Sequence, residues 1–338
     1  MNTIHSRLRG KAVAFALAGL ASVAALGSAG FANAQELERL SLRLDWLPSG
    51  YHAPIFLAID KGYYREAGID LTLEDGQGSN AALQAVAAGT NDVVIANYTT
   101  MLQSIAQGMD LIAIGGLIQR LPDSIVSLER NPVLTPQDLE GRTVSTPPDS
   151  AASKLFPAFL DAAGVDASKV NILNTASGQS IPAVLGGSAQ ATTGWSFTDA
   201  LVVARQAPIA PPILFSDFGI NLLGNGFVTT QSFAAENGDL LSKFMEATAR
   251  GYEEGLADPT AAVQALAAAR PLVDVELQSQ QLAAFPPFLH SANSEGQPFG
   301  WTAEADWEQT AQLLRDYFDL QGEVDISSVY TNDFVPQQ

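Results

Sequence analysis

The sequence predicts an α/β protein of two lobes joined by a two-segment hinge. Three observations carry that expectation. Along residues 40–230, short apolar runs alternate with helical patterns, the rhythm that builds mostly parallel sheets with helices on both faces. The rhythm completes one unit, pauses at a turn-rich stretch over residues 131–136, and begins again. The chain has 338 residues, more than one core usually holds, with no repeat and no low-complexity linker. A chain that builds one unit, leaves for a second and returns crosses between lobes twice. The crossings are expected near residues 125–130 and 223–228, giving one lobe of 35–124 plus 226–338 and another of 125–225. Two independent domains are the alternative, but the lack of a linker at either crossing favours the hinge.

Residues 1–34 read as a cleaved export signal. Arg7, Arg9 and Lys11 form a basic start, an apolar run follows, and Ala32-Asn33-Ala34 gives the small-x-small pattern before Gln35. The apolar run is shorter than the roughly 20 residues needed to span a bilayer, which disfavours an uncleaved anchor. Losing that segment takes Lys plus Arg from 17 to 14 against 36 Asp plus Glu, a net charge of −22. Such a charge repels nucleic acid and anionic lipid. The chain has no cysteine, which excludes disulfides, thiolate metal sites, a cysteine nucleophile and lipid attachment at an N-terminal Cys. A periplasmic protein free of a lipid anchor is therefore expected.

In the first unit, strands are expected at residues 40–46, 69–74, 93–96 and 111–117. Helices are expected at 53–67, closed by Gly68, through Ala88 with Ser79 or Asn80 as the cap and Gly89 as the stop, and at 99–107. In the second unit, a lone strand at 125–129 precedes a short capped helix at 135–141. Strands at 142–145, 170–173 and 189–193 alternate with helices at 151–163, 180–186 and 199–205, and residues 212–215 lead towards another strand. Residues 226–230 form a strand placed to cross back. Beyond Gly238 the pattern is helical at 239–254, 259–268, 274–284 and 304–318, broken by Pro286-Pro287.

Catalytic signals are sparse. The histidines are His5, His52 and His290, none spaced for a zinc site, and no nucleophile elbow, Walker A or dinucleotide fingerprint occurs. Glu253-Glu254 fits a solvated helix face. Gly76–Asn80 is either an ordinary strand-to-helix turn or an anion cradle at a helix N-terminus. Aromatics are the better lead. Trp46, Tyr51, Tyr98, Trp195 and Phe197 all follow expected strands, where open α/β sheets bind ligands. Each alone reads as packing, but several at equivalent strand ends suit a cleft that sandwiches a flat ligand. His52 is either a local hydrogen-bonding group at a helix start or an edge contact to a heterocycle. Asn97, Asp123 and Ser124 add polar groups at strand ends, and Asp199 is either a helix cap or an acceptor for an amino group.

Asp45-Trp46-x-Pro48-x-x-x-His52, followed by Ala58 and Lys61-Gly62-Tyr63-Tyr64, resembles the opening of the NMT1/THI5-like domains, including the ThiY-like pyrimidine receptors with D-W-x-P-N-x-x-H and K-G-Y-F. Ser49 stands where their Asn often stands. Residues 119–124 are similar to the segment before the first crossing, residues 134–144 are a generic superfamily feature, and Gly194-Trp195 and Gly300-Trp301 also fit. The resemblance covers nearly all of the mature chain. It implies the periplasmic-binding-protein type II fold and a substrate-binding protein of an ABC importer. The implied ligand is a small flat heterocycle, a thiamine pyrimidine precursor such as a formylaminopyrimidine, passed to permease subunits. A monomer without cofactor or catalytic residues is expected. The implied ligand set is Trp46, Ser49, Tyr51, His52, Asn97, Tyr98, Asp123, Trp195 and Asp199, with Trp46 and Tyr98 or Trp195 stacking and His52, Asn97 and Asp199 bonding the edges.

The related THI5 enzymes carry a Lys for pyridoxal phosphate, a His one turn later and a cysteine-rich loop. The matching positions here are Ala96, Thr100 and the cysteine-free 223–227, which removes that chemistry. Two alternatives stand beside the receptor: a sulfonate, taurine or nitrate receptor of the same superfamily, with Arg120 as its best cation, and a periplasmic pyrimidine-metabolising enzyme.

Overall fold

The computed structural model describes residues 37–338 apart from Asp149, Ser177, Gln321, Glu323 and Gln338. The expected export signal lies outside the described residues. Ten strands occur in chain order: β1 (Glu38–Arg43), β2 (Ile69–Glu74), β3 (Val93–Asn97), β4 (Ile112–Gly116), β5 (Asp123–Ser127), β6 (Thr143–Thr146), β7 (Asn171–Asn174), β8 (Ala191–Trp195), β9 (Ile213–Leu214) and β10 (Asn225–Thr229). They form two five-stranded sheets, ordered β2-β1-β3-β10-β4 and β7-β6-β8-β5-β9. The fold is the two-lobed type II arrangement of periplasmic binding proteins.

The sheets are less parallel than the βαβ rhythm predicts. β1 runs parallel to β2 and β3, with Leu40 opposite Leu71. β10 then inserts antiparallel between β3 and β4, with Phe227 opposite Ile95 and Gly226 opposite Gly116. The second lobe repeats the pattern: β5, the strand that arrives from the first sheet, lies antiparallel between β8 and β9. Strand order is set by long-range pairing, so periodicity does not reveal it. The two connecting stretches also bond to each other. The Leu117 and Ile118 amides donate to the Asn225 carbonyl at 2.9 and 2.7 Å, and the Gly224 amide donates to the Ile118 carbonyl at 2.8 Å.

Burial follows the strand patterns. In β1, Leu40 and Leu42 point inward while Glu38 and Arg39 face solvent. In β3, Val93 to Ala96 are all buried, as expected for a strand covered on both faces. The expected helix 53–67 is two helices, Ala53–Asp60 and Tyr63–Glu66, interrupted at Lys61 and Gly62. The first packs against the C-terminal helices Gly238–Ala257 and Pro259–Ala269. Leu240, Phe244, Ala247 and Tyr252 are buried there, as their spacing predicts. Two further helices, Gln231–Glu236 and Ile326–Val329, escape the sequence reading because they are one or two turns long. Helix Glu304–Tyr317 reaches across both lobes, packing on Tyr98–Ala106 of the first and Ala151–Ala162 of the second. No described helix is long and apolar enough to cross a membrane.

The β10 insertion leaves little room. A Cβ at Gly226 would meet the Tyr98 hydroxyl at 1.8 Å and the Gly115 carbonyl oxygen at 2.5 Å. Gly226→Ala is therefore expected to destabilise the protein by about 3 kcal/mol or more, read as a lower urea midpoint, because the second clash is with backbone that cannot swing away.

Candidate functional site

The turn after β1 is held by one carboxyl group. Asp45, 7 % exposed, accepts from the Tyr51 hydroxyl at 2.9 Å and from the Asn225 amide at 2.9 Å through Oδ2, and from His52 Nε2 at 2.8 Å through Oδ1. His52 Nδ1 accepts from the Ser49 amide at 3.1 Å, so Nε2 carries the ring proton and donates it. The loop after β2 closes over the same turn. The Gly76 and Gly78 amides donate to the Trp46 and Asp45 carbonyls at 3.0 and 2.7 Å. A Cβ at Gly76 would meet the Leu44 carbonyl oxygen at 2.1 Å, so only glycine permits that approach. Those two amides are thus committed to backbone acceptors, which argues against the anion-cradle reading of Gly76–Asn80. Nor does Ser79 cap its helix: Gly78 holds that position, and the Ser79 hydroxyl accepts from the Asn97 amide at 3.0 Å.

The turn forms one wall of a cavity of about 480 Å³. Asp45, Trp46, Ser49, Tyr51, Gly78, Ser79, Asn97, Asn225 and Gln281 line it from the first lobe, and Trp195, Thr198, Asp199 and Val202 from the second. No Lys, Arg or His is among them. Trp46 is 57 % exposed, unusual for an indole, and lines the cavity. Asn97 ends β3, where its side chain accepts from the Thr99 amide at 3.0 Å and donates to the Asn225 side chain at 3.2 Å. Asp199 opens the helix Asp199–Ala204 and accepts from the Trp195 amide at 2.8 Å, which locks it beside that indole. Burial raises the Asp199 pKa, opposed by that hydrogen bond.

The structure brings together Trp46, Ser49, Tyr51, Asn97, Trp195 and Asp199 of the expected set. It separates three others. His52 is completely buried behind the turn, with both nitrogens bonded to Asp45 and Ser49, so it positions the wall from behind and is absent from the cavity lining. Tyr98 is also completely buried, its hydroxyl donating to the Gly115 carbonyl at 2.6 Å and its ring 4.6 Å from Trp307. The helix that starts at Tyr98 turns that side chain under β10, whereas the strand pattern alone suggested an outward ring. Asp123 lines a second cavity of about 260 Å³, which shares Trp195 and Asp199 with the first. Phe197 is buried too, packed on Tyr51, Phe285 and Phe288 with ring centroids 5.0–5.8 Å apart. It joins the lobes and is not a ligand face.

Asp45, Asn225 and Gln281 are among the lining residues not singled out from sequence as binding groups. Asp45 stood in the quoted motif without a role. Asn225 lay in the segment read as a crossing and for its missing cysteines, without a binding role. Gln281, whose side chain accepts from the Gly50 amide at 3.1 Å, comes from helix Val275–Ala284, far away in sequence with no motif to mark it. Arg120, the candidate cation for an anion receptor, is ion-paired with Asp217 and bonded to Ser216 outside the cavity lining.

Asp123 is 4 % exposed, and no described residue donates a hydrogen bond to its carboxyl group. Burial first, and the Asp199 charge second, push its pKa from 3.8 up to about 7. The folded chain therefore holds a proton that the unfolded chain has released. Stability should fall as pH rises from about 4 to 7 and level off above, since the penalty is complete once the folded-state group ionises. Asp123→Asn should flatten that decline by up to ~1.4 kcal/mol per pH unit and raise the melting temperature at pH 8, read by calorimetry across pH. Asp45→Asn should cost about 2–3 kcal/mol by urea denaturation, because it turns a donor towards buried donors. Tyr98→Phe should cost about 1 kcal/mol and leave ligand affinity unchanged.

Known proteins were compared with this chain. The NMT1/THI5-like family model matches residues 49–262. The riboflavin-binding protein RibY of Chloroflexus aurantiacus is 27 % identical over 317 residues, covering 90 % of this chain and 88 % of that protein. The formylaminopyrimidine-binding protein of Halalkalibacterium halodurans is 21 % identical, covering 83 % of this chain and 86 % of that one. Among solved structures, the periplasmic aliphatic sulphonate binding protein SsuA from Escherichia coli superposes with a TM-score of 0.69 at 18 % identity, covering 86 % of this chain and 97 % of that one, a likeness of fold. A family match over more than half of the chain shows the family: this chain belongs to the NMT1/THI5-like family.

Proposed function

We propose that this chain is the extracytoplasmic receptor of an ABC importer and that it captures a flat, uncharged nitrogen heterocycle. The observation that carries the ligand class is the lining of the main cavity: an indole from each lobe, two carboxyl groups, two Asn side chains and no cation. Flat rings stack on indoles, gaining roughly 0.5–1.5 kcal/mol per pair beyond area burial. Asn97, Asn225 and Asp199 offer the mixed donors and acceptors that the edge of a pyrimidine or pteridine-like ring presents. The formylaminopyrimidine and riboflavin named for the two relatives both belong to that class. A volume of about 480 Å³ lies in the range for drug-sized ligands and accommodates either. The two bonded stretches at 117–118 and 224–225 are the hinge about which the lobes would close. Export and release by a cleaved signal, a monomeric state and delivery to permease subunits complete the reading.

The anion-receptor alternative lacks support in this cavity, since its lining sets two carboxyl groups and no cation against a sulfonate. The enzyme alternative lacks a Lys, His or Cys in the lining. Titration calorimetry with formylaminopyrimidine, riboflavin and ethanesulfonate tests the reading. A heterocycle should bind one to one and the sulfonate should not. Tight sulfonate binding with neither heterocycle bound would overturn it. Trp46→Ala and Trp195→Ala should each weaken the bound heterocycle by about ten- to a hundredfold, with loss of the ligand-induced tryptophan fluorescence change.

A further inference from the structure

The second cavity lies inside the second lobe, against the main one. The start of β5 supplies Asp123, β8 supplies Thr193 to Trp195, and the ends of two helices supply Ser150 and Ser180. Trp195 and Asp199 belong to both linings, so a ligand seated on Trp195 has the second cavity beside it.

The side-chain groups of this space left free to bond a ligand are carboxyl groups. Its hydroxyls are already paired within the protein. Ser150 donates to the Pro147 carbonyl at 2.8 Å and accepts from the Ser153 amide at 3.1 Å. Thr193 pairs with Thr146 at 2.7 Å, and Ser180 with Thr175 at 2.6 Å. Asp199 Oδ2 takes the Trp195 amide, leaving Oδ1 without a described partner. Asp123 is more than nine-tenths buried, yet both of its carboxyl oxygens lack a described partner. No Lys or Arg lines the cavity. Carboxyl oxygens left free in this way suit a ligand group that donates. A buried carboxyl group left unpaired costs stability, and a donating ligand removes that cost.

We propose that the second cavity is a subsite for a donor-bearing arm, hydroxyl or amino, carried by the heterocycle and held by Asp123 and Asp199. The inference rests on the reading of the main cavity as a heterocycle site and adds what the ring must carry. The raised pKa of Asp123 accords with it, since an acid without a partner near another acid is the state that a donor would relieve.

Two matched pairs of ligands test it by calorimetry on the purified protein. Riboflavin carries a hydroxylated arm that lumiflavin lacks, and 4-amino-5-aminomethyl-2-methylpyrimidine carries an amino group that 4-amino-2,5-dimethylpyrimidine lacks. In whichever pair binds, the arm should tighten binding at least about tenfold, and the pair that shows the gain identifies the arm as hydroxyl or amino. Asp123→Asn should reduce that gain to under about threefold while leaving the armless ring within about twofold of its original affinity. Equal affinity within a pair overturns the subsite but leaves the heterocycle reading standing. So does an Asp123→Asn effect equal on both members. Failure of all four ligands to bind overturns both. The comparison on the unaltered protein stands whether or not the variant folds.

Discussion

The Asp45 carboxyl group is the contact on which the site depends. It ties together the end of β1, the helical turn carrying Tyr51 and His52, and the first residue of β10. Each partner is buried, so each bond satisfies a donor that would otherwise be stranded. Because β10 returns from the second lobe, the same group links local turn geometry to the crossing of the chain. Trp46 gains its exposed position from this arrangement. The turn is fixed from below by Asp45 and from above by the Gly76 loop, leaving the indole to line the cavity.

The two lobes are built on one scheme. In each sheet, the strand that arrives from the other lobe inserts antiparallel between two others. That places the start of β5 and the start of β10 beside the ends of their antiparallel neighbours. Asp123 therefore sits opposite Trp195, and Asn225 opposite Asn97. Polar residues from crossing strands meet aromatic and amide residues from strand ends, and both cavities are lined by those meetings.

Charge completes the specificity argument. A strongly acidic chain says nothing by itself about its ligand, since most acids are solvated. What matters is that the cavity linings keep acids and exclude bases, while Arg120 is held by Asp217 elsewhere. Burial makes those acids demanding partners. In a low-dielectric recess an unpaired carboxyl group gains more from a ligand donor than it would at the surface.

Much of this was legible in the residues. Apolar runs and glycine stops located nearly all strands and longer helices, because period and chain-breaking residues act locally. Trp46, Trp195 and Asp199 were legible as residues that line the cavity, because strand ends are where such folds open. His52 and Tyr98 looked equivalent to them, yet the fold buried both. Whether a side chain at a strand end turns outward depends on the next turn of helix and on which strand lies beside it, and no local pattern records that. Gln281 reached the cavity from the C-terminal helices by packing alone, and Asp123 reached its recess through an antiparallel pairing. The sequence by itself determined the class of fold and the chemistry available to the site. Only the tertiary structure decided which groups share a cavity and which acids lack partners, because those facts arise from contacts between segments distant along the chain.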